Sequence, residues 1–418
     1  MVIKRFVAGL IAVLMTTMLF TSCSNDPKGD SNSKKDDSSL ESVEEKAPET
    51  DEEWHKAMIN KSMTSYGNTT RMMNKITAAK NGDEVTVAYI GGSITEGVGA
   101  NAEECYAALS YKYFAEKFGI DENVKFVNAG LSGTPSKLGV LRLERDVLVH
   151  NPDVVFIEFA VNDGSDAAFK DAYESMVRNL LQNDKDIAVV LLMSITENGH
   201  TSQEYMKQIG EYYQLPIISY ADALTYMFEN ERMTWKDFSD DQSHPNISGH
   251  KLVSEMIENY YNTIADQKQT EENPLPQNAI FTARQEQASL LENTEIVPES
   301  LGSFTEGSQT AGFNNGWTYN NDGNNEPIVF NKVSGAFVNL IFRENSTGNL
   351  GTVVVTVKNG DEVISELEVS GIQSGGWGDP GIFNIVMDVT VKDYTVEIKM
   401  AEGSEDKTFQ ILAFAVTK

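Results

Sequence analysis

The first two-thirds of the chain alternates between short apolar runs and amphipathic stretches. Each apolar run has the length of a strand, and most are followed by residues whose apolar positions recur at helical spacing. Buried parallel strands covered by helices on both faces have this pattern. The sequence therefore predicts an α/β domain with five parallel strands. The predicted strands are the run beginning at Val85, Val124–Asn128, Val154–Ala160, Ile187–Met193 and Ile217–Ser219.

Amphipathic stretches predict the helices between these strands. The stretch from Trp54 to about Lys80 is loosely helical, and we expect one helix there, lying against the first strand. Other helices are expected around 107–118, 137–149, 167–182, 204–213 and 248–261. The one around 107–118 is closed by Gly119. In such a domain, ligands bind at the carboxyl ends of the strands.

The helical period disappears after about residue 268. Residues 267–277 are polar and contain two prolines, which is typical of a linker. From residue 279 onward, short strands alternate with Gly and Asn turns, and Asn359-Gly360 is a hairpin signal. We therefore predict an α/β domain over 54–268 and an antiparallel, jelly-roll-like β-sandwich over 279–418. Its predicted strands are 328–330, 337–342, 353–357, 363–369, 383–389, 394–400 and 409–416.

The N-terminus has the pattern of an export signal. Lys4 and Arg5 precede an apolar run over 6–20, which is shorter than the ~20 residues of a spanning helix. The run ends in Leu-Phe-Thr-Ser-Cys23, which resembles a bacterial lipoprotein signal with Phe20 in place of the usual aliphatic residue. We predict that residues 1–22 are removed, that Cys23 is lipidated, and that the protein is anchored on an extracytoplasmic membrane surface. An ordinary secretory signal and an uncleaved anchor are the alternatives.

Charge and composition narrow the class of protein. Residues 23–53 are polar and acidic with almost nothing to bury, so we expect a disordered tether. The net charge of −29 argues against a nucleic-acid partner, because phosphate backbones require a basic face. The chain has 2 cysteines, so a lipidated Cys23 leaves Cys105 without a disulfide partner. We expect Cys105 to be a small buried residue.

Polar side chains follow the predicted strands where a site is expected. The first strand ends in Gly91-Gly92-Ser93, a tight turn that can carry a nucleophile. Asp241-Gln-Ser-His244 precedes the last helix, and the spacing lets the carboxylate orient an imidazole whose other nitrogen faces Ser93. Gly133, after the second strand, can offer a backbone N–H to an oxyanion, and Asn162, after the third, an amide group.

Each of these residues has a structural alternative. Ser93 could be only a small turn residue, and the Gly-rich turn lacks the Lys-Ser/Thr of a phosphate loop. Gly130 competes with Gly133, and Asn162 or its neighbour Asp163 could cap a helix. His250 lacks an acid three residues before it and is interpreted as a helix-surface or core residue; His200 is a loop histidine with no assignable role. Asp241 and His244 as a metal pair lack a visible third ligand cluster.

Together, the four motifs resemble the SGNH (GDSL-type) hydrolase family over about residues 82–268. The resemblance implies a flavodoxin-like five-stranded sheet, Ser93 as nucleophile, His244 as general base and Asp241 as the residue that orients it. It also implies an oxyanion hole formed by the N–H of Ser93, Gly133 and the Asn162 side chain. The sequence departs from the family at Gly92, where many relatives carry an aspartate that braces the loop.

The sequence thus predicts an exported serine esterase with no metal or organic cofactor. Export and the attached sandwich favour short acyl groups, above all acetyl, on a polysaccharide. A lipid or lysophospholipid ester is the enzymatic alternative, and an inactive carbohydrate-binding lipoprotein is the alternative outside enzymology. Trp317 and Trp377 could stack on a sugar ring, and packing in the core or against the hydrolase domain is the alternative. The pattern leaves the oligomeric state open.

Overall fold

A computed structural model describes residues 47–265, 267, 271–272, 274–321 and 323–417. The predicted signal sequence, Cys23 and the tether as far as residue 46 lie outside these ranges. In the first part the elements are α1 Asp51–Lys61, β1 Met63–Ser65, α2 Thr70–Lys80, β2 Val85–Gly91, α3 Ser93–Glu96, α4 Tyr106–Phe118, β3 Val124–Gly130, α5 Ser136–Leu141, α6 Leu143–Asp146, a 3-10 turn Leu148–His150, β4 Val154–Glu158, α7 Ala167–Leu181, β5 Ala188–Met193, α8 Gln203–Tyr212, β6 Ile217–Ser219, α9 Tyr220–Glu229, α10 Trp235–Phe238 and α11 Ile247–Ala265. No helix of the described residues is long and apolar enough to cross a bilayer.

Within the described residues, the first part contains a six-stranded sheet in the order β1-β6-β5-β4-β2-β3. The five strands from β6 to β3 are parallel, as predicted, and β1 adds an antiparallel edge. The strands β4, β2 and β3 are neighbours, so the loops that follow them leave the sheet side by side. This topology brings the residues after β2, β3 and β4 to one edge of the sheet.

Apolar cores lie on both faces of the sheet. One core includes Trp54 of α1, Phe114 of α4 and Tyr261 of α11. The other includes Tyr173 of α7 and side chains from the second part of the chain, among them Leu290, Phe313, Ile341 and Leu412. The C-terminal domain is therefore packed against the α/β domain through a shared hydrophobic core.

Some helices differ from the sequence prediction. The single helix expected from Trp54 to Lys80 is two helices, α1 and α2, separated by the edge strand β1. Gly67 has φ +55 and its Cα lies against the backbone of Leu215, so the chain turns there. Helices α9 and α10 were not predicted. Helix α9 begins at a cap in which Ser219 Oγ accepts from the Asp222 N–H at 3.0 Å.

The C-terminal domain is all antiparallel, as predicted. Its strands are β7 Ser289–Leu291, β8 Phe304–Glu306, β9 Trp317–Tyr319, β10 Ile328–Asn345, β11 Thr352–Asn359, β12 Glu362–Ser370, β13 Trp377–Met400 and β14 Gln410–Thr417. In the described residues they are hydrogen-bonded in the order β12-β11-β13-β10-β14-β9-β8, with β7 beside β14.

Strands β10 and β13 are each longer than predicted. Each replaces two predicted strands, and both contain register shifts that bend them. The N-terminal half of β10 pairs with the C-terminal half of β13, and the remaining halves pair with each other. The rings of Phe330, in the first half of β10, and Phe414, in β14, lie 4.9 Å apart. The bent sheet thus folds over a core of its own, which also contains Trp317.

Candidate active site

Ser93 is the first residue of α3 and follows β2 directly after Gly92. Gly92 has φ −88 and ψ −147, and the short helix ends at Gly97, which is left-handed with φ +110. Leu131 N–H donates to Gly91 O at 3.1 Å, which ties the start of the turn to the loop after β3. The side chain of Ser93 is half-buried at the carboxyl edge of the sheet.

The loop before α11 brings a histidine and an aspartate to this serine. Ser93 Oγ lies 2.9 Å from His244 Nε2, and His244 Nδ1 lies 2.7 Å from Asp241 Oδ2. Ser93 is 151 residues away from His244 along the chain, yet the three side chains form one line of hydrogen bonds. This arrangement allows the imidazole to accept the serine proton while the carboxylate holds its Nδ1–H.

Asp241 is held as a carboxylate by three hydrogen bonds. Its Oδ1 accepts from Ser243 N and His244 N, each at 2.7 Å, and its Oδ2 faces the imidazole. Partial burial raises the pKa of Asp241, but these hydrogen bonds outweigh it and bring the pKa to about 2. The group is therefore ionised at neutral pH, as the orienting role requires.

Hydrogen bonds from α10 and from Ser239, the residue after it, hold the Asp241–His244 loop. Trp235 Nε1–H donates to Asp241 O at 2.6 Å, and Ser239 Oγ–H reaches His244 O at 2.5 Å. Trp235 is buried and packs on Phe238. Sequence reasoning missed both Trp235 and Ser239, although their position just before the Asp-x-x-His motif was the available signal.

The loop after β3 distinguishes Gly133 from Gly130. Gly130 N–H donates to Asn128 Oδ1 at 2.9 Å, and Ser132 N–H donates to Glu96 Oε2 at 2.8 Å. Thr134 N–H donates to Leu131 O at 3.3 Å. Gly133 lies between these residues with φ +71, and it lines the cleft described below. The geometry thus favours Gly133 over Gly130 as a donor to a ligand.

Asn162 lies over the turn between β2 and α3, against Gly92. Its side chain is so close to Gly92 that a Cβ at position 92 would overlap Asn162 Oδ1. This oxygen is buried and has no hydrogen-bond partner among the described residues. The helix cap considered for Asn162 belongs to Asp166, whose Oδ1 accepts from Ala168 N and Phe169 N. The glycine that departs from the family pattern is therefore the residue that makes room for Asn162.

Two acidic residues that sequence reasoning did not assign to the site connect its loops. Asp163 is buried; its Oδ1 accepts from Ser136 N at 2.8 Å and its Oδ2 from Tyr205 OH at 2.8 Å. It joins the Asn162 loop to the start of α5, three residues after Gly133. Burial raises the pKa of Asp163 to about 6. Glu96 similarly joins α3 to Ser132.

A buried carboxyl group lies beneath α3, the helix that begins at Ser93. Glu158, the last residue of β4, is fully buried, with Ser194 Oγ 2.5 Å from its Oε1 and Thr95 Oγ1 3.2 Å from its Oε2. Burial raises the pKa of Glu158 to about 7, although both hydrogen bonds act in the opposite direction. Glu158 thus contacts the turn of α3 that carries Ser93.

The other histidines are outside this arrangement. His250 is buried, as one of the two sequence interpretations held, and stacks on Tyr106 with centroids 6.1 Å apart. Tyr106 N–H donates to His250 Nδ1 at 3.2 Å and His250 Nε2 contacts Val98 O at 3.1 Å. Burial lowers the pKa of His250. His200 lies exposed in the loop after β5.

A cleft of about 560 Å³ runs from the predicted oxyanion residues along the boundary between the domains. Gly133 and Asn162 are among its lining residues from the α/β domain, and Trp377 of β13 is among those from the C-terminal domain. The Trp377 ring lies directly on Gly133, where an added Cβ would overlap it, and the residue is still 53% exposed. The backbone N–H of Trp377 donates to Asp379 Oδ1 at 2.7 Å. Trp317, in contrast, is fully buried in the β core.

Residues 89–252 match the family model of the GDSL-like Lipase/Acylhydrolase family, a range that contains Ser93, Gly133, Asn162, Asp241 and His244. The chain contains a GDSL-like lipase/acylhydrolase domain. It is a carboxylic ester hydrolase.

Relatives of the GDSL-like domain include carbohydrate and lipid esterases. An acetylxylan esterase of Geobacillus stearothermophilus is 23% identical over 204 residues, which is 42% of this chain and 93% of that protein. Thioesterase 1/protease 1/lysophospholipase L1 of Escherichia coli (strain K12) is 25% identical over 174 residues, 41% of this chain and 81% of that protein.

A solved structure is similar to both domains together. It is a two-domain esterase (CEX) active on acetylated mannans, 25% identical to this chain, with a TM-score of 0.75. The similarity covers 86% of this chain and 98% of that one. The pairing of a GDSL-like domain with an antiparallel β domain is therefore shared with a known esterase.

Proposed function

We propose that this GDSL-like enzyme removes short acyl groups, chiefly acetyl, from a polysaccharide. The observation that carries the proposal is the hydrogen-bonded line from Ser93 through His244 to Asp241, beside a cleft that Trp377 of the β domain helps to form. A cleft of about 560 Å³ is much larger than one acetyl group, which suits a substrate with several sugar rings. A half-exposed tryptophan is a suitable surface for stacking on such a ring.

The proposed mechanism has two steps. Ser93 Oγ attacks the ester carbonyl while His244 Nε2 accepts its proton, and His244 then gives that proton to the departing sugar hydroxyl. Water attacks the acyl-enzyme with His244 again as the base, which releases the carboxylic acid and restores Ser93. Asp241 holds the imidazole in the required tautomer and stabilises its charged form.

The negative charge on the carbonyl oxygen requires hydrogen-bond donors. We assign this role to the N–H groups of Ser93 and Gly133 and to the amide group of Asn162. The neighbouring N–H groups of Gly130 and Ser132 are already engaged, which supports Gly133. The buried, unpartnered Asn162 Oδ1 over Gly92 supports an orientation in which Nδ2 is left for the substrate. Loss of one such donor typically costs about 10²–10³ in rate.

Acetylated polysaccharide is the substrate class best supported by the relatives. The acetylxylan esterase and the esterase active on acetylated mannans both act on acetylated polysaccharide, and the second resembles this chain across both domains. The relative named as a lysophospholipase favours a second candidate, a lipid ester. Acyl-chain length separates the two, because a lipid hydrolase must accommodate a long apolar chain.

The experiment is a panel of p-nitrophenyl esters of increasing acyl length together with acetylated mannan and xylan. We expect activity on acetyl esters and on at least one polysaccharide, and loss of both in Ser93→Ala. Trp377→Ala should raise KM for the polysaccharide at least tenfold more than KM for p-nitrophenyl acetate. Tyr66→Ala, at an exposed aromatic residue of the α/β domain, is the control. Preference for long acyl chains would favour the lipid hydrolase instead.

The proposal extends to an extracytoplasmic location. The basic residues, the apolar run and Cys23 support a lipoprotein signal, and the acidic residues that follow support a tether. Replacing Cys23 with Ser should release the enzyme from the membrane fraction of a bacterial host and abolish labelling by a radioactive fatty acid. Membrane retention with no label in the wild type would favour an uncleaved anchor.

A further inference from the structure

Arg142 is a fully buried arginine beneath the site. It lies at the break between α5 and α6 and is 1% exposed. Its Nη2 donates to Gly91 O at 3.0 Å, and its Nη1 donates to Ala129 O at 2.7 Å. Gly91 is the last residue of β2, two residues before Ser93. Ala129 lies near the end of β3, just before the loop that carries Gly133.

The charge of Arg142 is balanced by a chain of ion pairs that leads to the other domain. Asp146 Oδ2 lies 3.0 Å from Arg142 Nη1, and Asp146 Oδ1 lies 2.5 Å from Arg145 Nε. Arg145 Nη1 in turn lies 3.2 Å from Glu292 Oε1. Glu292 follows β7 of the C-terminal domain and is 5% exposed. These ion pairs therefore connect the β domain to the carboxyl ends of β2 and β3.

We propose that Arg142 is a positioning residue for ester hydrolysis, which fixes the Ser93 turn relative to the Gly133 loop. Glu292 supports Arg142 indirectly, through its ion pair with Arg145 and the pairing of Arg145 with Asp146. The inference rests on the proposed roles of Ser93 and Gly133. One planar guanidinium bonded to both carbonyls holds the two strand ends at a set spacing, which a single ammonium does not reproduce. A misplacement of about 1 Å between reacting groups can cost on the order of 10²-fold in rate.

A purely structural role would lower stability without a selective effect on turnover. The test therefore measures kcat and KM for p-nitrophenyl acetate in Arg142→Lys beside thermal unfolding. We expect kcat to fall by about 10–100-fold with KM changed less than threefold. Arg142→Ala should be partly rescued by millimolar guanidinium, which can occupy the space left, and not by ammonium at the same concentration.

Arg178→Lys is the matched control. Arg178 is also buried and also donates to carbonyl groups, those of Pro276 and Gln277, but these lie beyond the α/β domain. We expect it to lose stability and keep the wild-type kcat. Equal losses of kcat in Arg142→Lys and Arg178→Lys, or a wild-type kcat in Arg142→Lys, would overturn the inference.

Glu292→Gln keeps the test independent of the folding of the core variants. It removes the last charge of the chain without touching the strand ends, so we expect a two- to fivefold loss of kcat and no change in KM. If Arg142→Lys does not fold, a wild-type kcat in both Glu292→Gln and Asp146→Asn overturns the inference. A wild-type enzyme that hydrolyses no ester would instead overturn the proposed function, so the two failures are distinguishable.

Discussion

The amide of Asn162 lies directly over the Cα of Gly92, with no room for a Cβ between them. Gly92 has a negative φ, so a left-handed backbone is not the reason for glycine at this position, whereas the side chain of Asn162 leaves no space for a Cβ. An aspartate at this position, as in many relatives of the SGNH type, would require the asparagine to move. Position 92 and position 162 are therefore coupled.

This coupling gives the first prediction. Gly92→Ala and Gly92→Asp should each lower kcat/KM by about 10²-fold, because displacing Asn162 removes one proposed oxyanion donor. In the Asn162→Ala background, Gly92→Ala should cost less than about threefold, since the overlapping side chain is absent. The four kcat/KM values form a double-mutant cycle. Additive effects would contradict the coupling.

Those features of the site that depend on residues close together in the sequence could be predicted from the sequence. Val85–Gly91 is a fully buried and mostly apolar run, and the glycines at its end favour a turn, so the position of Ser93 follows from the pattern. The Asp-x-x-His spacing similarly predicts the short distance between Asp241 and His244. These inferences involve residues on one turn or one strand end, where the backbone fixes the geometry.

The sequence pattern could not predict contacts between distant parts of the chain. Trp377 lies on Gly133 only because the β domain docks there, and no local signal encodes that docking. Arg142 is a charged residue in a helical stretch, which predicts exposure, yet it is buried among carbonyl groups. Residues 390–393 separate two predicted strands, but they are an exposed part of the single strand β13.

The low pKa of Asp241 predicts a pH effect. Because its pKa falls from 3.8 to about 2 on folding, the carboxylate stabilises the fold above about pH 4, and this contribution is lost as the pH falls towards 2. The side chain is 54% exposed, so solvent screening limits the effect to at most about 1 kcal/mol. Asp241→Asn should remove this pH dependence, measured by urea unfolding from pH 2 to 5.

The effect of Asp241→Asn on turnover should be much larger than its effect on stability. An amide at position 241 no longer favours the tautomer with a proton on His244 Nδ1, so we expect kcat to fall by about 10²–10⁴ at pH 7. A stability loss with nearly normal kcat would indicate that the carboxylate only shapes the loop.

Glu158 should have the opposite influence on stability. Its folded pKa of about 7 exceeds the ordinary value of 4.5, so the unfolded chain ionises first and stability falls between about pH 4.5 and 7. Glu158→Gln removes this loss. The free energy of unfolding of Glu158→Gln, relative to that of the wild type, should therefore rise by on the order of 3 kcal/mol between about pH 4.5 and pH 7. A difference that stays constant with pH would show that the carboxyl group does not titrate there.

A substitution at Trp235 tests whether the loop of Asp241 and His244 depends on the hydrogen bond that it receives from α10. Trp235→Phe removes the donor to Asp241 O and keeps most of the packing, so we expect about 1–3 kcal/mol of lost stability and about a tenfold lower kcat. Trp54→Phe is a matched control, because Trp54 is equally buried and its Nε1 has no hydrogen-bond partner among the described residues. It should lose stability through packing alone and keep its kcat. Similar kcat values in the two variants would mean that the loop is held in place by its own hydrogen bonds, chiefly those that Asp241 accepts from Ser243 and His244.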